Sequence, residues 1–115
     1  ILKALQDEGH TLSIASRSKE PQKCLQFLDT AFPDIHFSSK QIFYTPEYKT
    51  QHIENIFKPY LIQDDNAGDF SIFLPFFFFD DESHILQHAT KSFYSCKGYH
   101  TPNGLNFYTF DSKPL

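Results

Sequence analysis

Three short polar stretches carry the residue types that could do chemistry: "ASRSKE" around Ser16 and Arg17, "PEYKTQ" around Lys49, and "FFFFDDE", in which four phenylalanines run directly into Asp80, Asp81 and Glu82. A serine hydroxyl and the main-chain amides of a helix start can hold phosphoryl oxygens, and a lysine or arginine offsets their charge. Adjacent aspartates supply hard oxygens of the kind Mg2+ takes, one or two carboxylates completed by water and substrate phosphate. The set points to phosphate chemistry, with Ser16 and Lys49 toward the phosphoryl group and Asp80 and Asp81 toward a metal. Lys40 rivals Lys49, but Pro46 favours Lys49 by placing it in the first turn of a helix.

Each of these residues also has an ordinary use. Ser16 suits a helix N-cap, Asp80 and Asp81 suit the positive end of a helix dipole, and Arg17, the one arginine in the chain, can simply be solvated. Other constellations fail on spacing. His84 and His88 stand four apart as zinc ligands on a helix do, yet the HExxH glutamate and a third ligand are missing, which leaves a surface pair. Read from Asp64 as a calcium loop, "DDNAGD" has Gly68 fifth, Asp69 sixth and Pro75 twelfth, which is the wrong order. Cys24 and Cys96 show no basic neighbour pattern that would mark a nucleophile and read as packing residues.

The elements that must position these groups alternate. Ile1, Leu2 and Leu5 start a helix that Gly9 stops, and "TLSIAS" follows as a short buried strand. Pro21 opens a second helix with Cys24, Phe27, Leu28 and Ala31 on one face. "IHFSSKQIF" is a weaker strand, and Pro46 opens a third helix with Ile53, Ile56, Phe57 and Tyr60 as its stripe. After a polar loop, "LIQDDNAGDF", come a long apolar strand, "SIFLPFFFF", a helix over "DESHILQHATK", a last strand at "SFYSC" and a turn at "TPNG". Four consecutive phenylalanines leave no polar face, so that strand is expected to be buried on both sides of a parallel sheet. Strand and helix in alternation give an α/β fold with a parallel sheet, in one domain over residues 1–115. Ligands of such sheets bind beyond the carboxyl ends of the strands, so Ser16, Lys49 and Asp80 are expected to meet at one sheet edge.

Composition narrows the partners. A net charge of -4 and a pI near 5.8 give no basic stripe for a phosphate backbone, which argues against nucleic acid. No apolar run reaches the roughly 18 residues of a membrane span, and Pro75 and Asp80 interrupt the longest one. Two cysteines make no disulfide framework, which points to a reducing, cytoplasmic setting. The chain starts at Ile1 inside an amphipathic pattern, so a fragment with an N-terminal neighbour is expected.

In their order along the chain, "IASRS", "YTPEYKTQHIENIF" and "FFFFDDES" resemble the magnesium-dependent phosphatase branch of the haloacid dehalogenase superfamily, over about Gly9 to Gly104. The resemblance implies a Rossmann-like three-layer sandwich lacking its N-terminal strand, and a Mg2+-dependent phosphomonoester hydrolase working through an aspartyl-phosphate intermediate. It gives Ser16 the second family motif, a hydrogen bond to the transferring phosphoryl group, with Arg17 beside it as a substrate contact. Lys49 takes the third motif and neutralises phosphoryl oxygens. Asp80 takes the fourth as Mg2+ ligand, and Asp81 joins the metal shell or orients its water. Small phosphorylated molecules, phosphotyrosine-like or sugar phosphates, or a phosphoprotein would be the substrates.

The family's first motif, DxDx[TV], supplies the nucleophile, and none of the nine aspartates has another two positions later. Residues 1–115 alone are therefore expected to be inactive, and the alternative is a non-catalytic phosphate-binding or protein-interaction module of the same fold. A receiver-type signalling domain fits less well, because its acidic pair precedes its lysine.

Overall fold

In the computed structural model, residues 1–60 and 74–102 are described. They form α1 (Leu2–Asp7), β1 (Leu12–Ser16), α2 (Pro21–Ala31), β2 (Phe37–Ile42), α3 (Thr50–Phe57) with a 3-10 turn at Lys58–Tyr60, β3 (Phe76–Asp80), α4 (Ser83–Ser92) and β4 (Cys96–His100). The fold is mixed α/β with parallel strand pairing, which forms two two-stranded sheets, β1–β2 and β3–β4. The chain divides into two compact units, Ile1–Ile56 and Phe57–Leu115, each holding one of these pairs.

In the first unit, Gly9 ends α1 as its sequence requires. Its φ of 91° is open to glycine at little cost, and Gly9 N–H and His10 N–H close back on Gln6 O and Leu5 O. Pro21 occupies the first turn of α2, where its missing N–H is not needed. The apolar face of α2 differs from the expected one. Leu28 is buried and Cys24, Leu25 and Phe32 pack toward it, whereas Phe27 is 62% exposed and Ala31 lies outside. The helix is thus turned so that positions 24, 25, 28 and 32 meet Phe37 and Ile42 of β2, with Leu2, Leu12, Ile14 and Ile35 completing the cluster.

In the second unit, β3 and β4 pair in register from Phe76 against Cys96 to Asp80 against His100, and α4 lies along both. Ile85, Leu86 and Ala89 are the buried face of α4, joined by Phe93 and Cys96. Two expectations change here. The last strand is four residues later than "SFYSC", since α4 runs on to Ser92 and Phe93 N–H still bonds Ala89 O. The phenylalanine strand is not buried on both sides: Phe77 is 57% exposed and shares a face with Phe79 and Tyr99, whose rings contact one another. Among the described residues α4 supplies cover for the other face, where Gly98 allows close approach. A Cβ there would stand 3.2 Å from Leu86 Cδ2 and from Thr90 Cγ2.

The polar loop expected over residues 61–70, the first residues of the apolar strand (71–73), the end of the "TPNG" turn and the tail lie outside the described residues. No described helix is long and apolar enough to cross a membrane.

Candidate functional site

Ser16 is the last residue of β1, so its side chain is delivered at the carboxyl end of the β1–β2 pair. The strand turns at once into α2 through two serine turns, Ser18 N–H donating to Ser16 Oγ at 3.2 Å and Glu20 N–H to Ser18 Oγ at 3.1 Å. Ser16 Oγ therefore accepts from the chain beyond it and retains its own proton as a donor, the polarity a phosphoryl oxygen needs. The hydroxyl does not cap α2, whose N-cap residue is Glu20.

Arg17 is not a solvated charge. Its Nη1 donates to Thr45 O at 3.2 Å and to Glu47 O at 3.3 Å, spanning from the end of β1 to the segment after β2. That segment is itself folded back, with Thr45 Oγ1 donating to Tyr48 O. Pro46 thus begins a turn rather than the helix, and α3 starts at Thr50. Lys49 stands at the head of α3, half-buried, with its carbonyl accepting Ile53 N–H at 3.0 Å.

His52, one turn into α3, joins these pieces and was not among the residues expected to matter. It is fully buried, and its ring stacks on Phe43 with centroids 4.0 Å apart and planes 7° from parallel. Nε2 lies 2.8 Å from Phe43 O and 3.0 Å from Ser16 O. Both partners are carbonyls, so Nε2 carries the proton and donates to the pair. Burial holds His52 below the ordinary imidazole value. The bonds to Phe43 and Ser16 oppose that shift, and the positive charges of Lys49 and Arg17 reinforce it. Ser16 with its neighbour Arg17, and Lys49 from far along the chain, are therefore brought to one strand end, inside the first unit. The signal for His52 was present in the sequence: position 52 falls on the same helix face as Ile53 and Ile56.

Asp80 and Asp81 belong to the second unit. Asp80 is buried at the end of β3, its Oδ1 accepting Glu82 N–H at 2.9 Å and its carbonyl accepting Thr101 N–H at 2.8 Å. One carboxylate oxygen thus caps the approach to α4, the ordinary role open to it from sequence. Asp81 is exposed, and its carbonyl accepts from His100 Nε2 at 2.9 Å. Two neighbouring carboxylates at a strand end match the hard-oxygen donor set of Mg2+, which asks few ligands of a protein. No group of three or more His, Cys, Asp or Glu side chains that could hold a metal occurs among the described residues. His84 lies 3.3 Å from Glu82 at the surface, not in a metal cluster. Cys96 is buried, which pushes its thiol up to about 11 and makes it a packing residue.

Compared with protein-family models, with curated proteins and with solved structures, the chain finds no match in any of the three.

Proposed function

We propose that these residues are the phosphoryl-binding and metal-binding parts of a Mg2+-dependent phosphomonoester hydrolase of the haloacid dehalogenase type, with that family's three-layer α/β sandwich. The observation that carries the reading is the gathering of Ser16, Arg17 and Lys49 around the β1 end through His52 and the Arg17 bonds to residues 45 and 47. A serine proton and two cations at one strand end form a recognition set for a phosphoryl dianion. Ser16 orients one oxygen, and Lys49 offsets charge as it builds on the others. Asp80 and Asp81 would supply the carboxylate oxygens that hold Mg2+. Cys24 and Cys96, both free thiols, support a reducing, cytoplasmic setting. The substrate is a small phosphate monoester or a phosphoprotein.

A second reading is favoured by one specific feature: residues 1–115 contain no DxDx[TV], so they carry no nucleophile for an aspartyl-phosphate. A phosphate-binding module that performs no hydrolysis would keep the same Ser16, Arg17 and Lys49. The transcript upstream of Ile1 separates the two, since a strand ending in DxDx[TV] is required by the hydrolase. The binding step itself is tested by calorimetric titration of residues 1–115 with inorganic phosphate. Saturable binding that Ser16→Ala and Lys49→Ala each weaken is expected, and identical isotherms for parent and variants would refute the reading. Residues 1–115 alone are expected to release no phosphate from aryl or sugar phosphates above background, with or without Mg2+.

A further inference from the structure

We infer that His52 is a positioning residue for phosphoryl binding: its single Nε2–H, shared by Ser16 O and Phe43 O, fixes the end of β1 against the end of β2 and so sets where the Ser16 hydroxyl points. This rests on the phosphoryl-binding role of Ser16. The geometry of the lock is closed on every side. Ser16 O already accepts Phe43 N–H at 3.1 Å, the last bond between the two strand ends, and His52 adds a second donor to that oxygen at 3.0 Å. The same hydrogen reaches Phe43 O at 2.8 Å, so one buried ring spans the two chains where their ladder stops. The stack on Phe43 fixes the plane of the imidazole. The other ring nitrogen, Nδ1, is buried with no hydrogen-bond partner. The structure therefore accommodates one tautomer, Nε2–H, and the lock is neutral. Its location in the first turn of α3, three residues beyond Lys49, ties the placement of that lysine to the placement of Ser16. Burying a half-satisfied imidazole under two cations is unfavourable in itself, and a leucine would fill the space without that cost. What the imidazole adds is a directional donor that holds two strand ends in register.

The test uses residues 1–115 and inorganic phosphate. His52→Phe keeps an aromatic ring on Phe43 and removes the donor, while His52→Gln restores an N–H at about the reach of Nε2. The inference expects His52→Phe to weaken phosphate binding roughly tenfold, and His52→Gln to recover it to within about threefold of the parent. Both are measured well below each variant's unfolding temperature, so that lost stability alone leaves affinity unmoved. Ser16→Ala and Lys49→Ala run beside them. If these two bind as the parent does, the phosphoryl reading fails. If they weaken binding and folded His52→Phe does not, the positioning role fails and that reading stands. A second measurement on the parent covers a variant that does not fold: long-range 1H–15N correlation of the His52 ring during the phosphate titration. A protonated Nε2, with ring resonances that shift along the same isotherm as the Ser16 amide, is expected. A protonated Nδ1, or ring signals that stay still at saturation, would overturn the inference.

Discussion

At the end of β1, polar groups are held by residues far away in the chain: Arg17 reaches residues 45 and 47, and His52 reaches back to Ser16. At the end of β3 the side-chain bond is local, Asp80 Oδ1 accepting from the amide two residues on, while the main chain is tied to the paired strand, Asp81 O accepting from His100 Nε2. The first arrangement exists only when β1, β2 and α3 are folded together, whereas the second needs the β3–β4 pair and the turn into α4. A site assembled from distant parts can place several charges around one ligand. A local turn can present one or two carboxylates and little more.

The largest expected effect strikes the unit with the local turn. Leu86 is 0% exposed and packs beside Gly98, so Leu86→Ala should cost about 2–5 kcal/mol in urea-induced unfolding. Next comes the long-range lock. His52→Phe removes the donor shared by two partly buried carbonyls, of which Ser16 O keeps Phe43 N–H, and should cost about 1 kcal/mol by the same measurement. Its pH dependence has a definite sign. The folded value of His52 lies below the ordinary 6.5, so the unfolded chain takes up the proton first. The stability tied to His52 is intact above 6.5, declines as pH falls below it, and levels off under the folded value. Urea midpoints at about pH 7.5 and about pH 5 should therefore separate further for the parent than for His52→Phe.

Smaller effects sharpen the other side of the comparison. Asp80→Ala removes the acceptor for Glu82 N–H and should cost about 0.5–2 kcal/mol, while Asp80→Asn keeps an acceptor and should cost less. If Asp80 also holds Mg2+, Asp80→Asn should abolish Mg2+ binding in a calorimetric titration while leaving the fold intact, since the amide lacks the charge a hard dication requires. Glu82→Gln should change stability by about 0.3–1 kcal/mol and Mg2+ binding very little. The reverse pattern would make the carboxylates after the phenylalanines a helix cap and nothing more.

What could be read from sequence was what local rules decide. Gly9 and Pro21 announce helix ends because one admits positive φ and the other fits a first turn. Ser16, Lys49 and Asp80 stood out because each sits where an apolar pattern changes to a helix start. Where packing decides, the sequence was less informative. "SFYSC" has strand composition, but Ser92 ends α4, a turn follows and only Cys96 is in β4, which includes Gly98, a residue that usually signals a turn. Gly98 suits the strand because a Cβ there would stand 3.2 Å from Leu86 Cδ2 and Thr90 Cγ2, which would have to give way. The phenylalanine run spoke for two buried faces, yet burial depends on what covers a strand, which no local pattern contains. For His52 the helix face shared with Ile53 and Ile56 signals burial, but not what the ring bonds, because its partners, Ser16 and Phe43, come from two other segments.

The most direct test of the central claim is a 1H–15N amide map of residues 1–115 titrated with inorganic phosphate at constant ionic strength. The account expects the largest shifts at Ser16, Arg17, Ser18 and Lys49, all following one binding isotherm, with Lys23 and Lys91 unmoved. Shifts spread over the exposed lysines with no saturation, and none at Ser16 or Lys49, would contradict it.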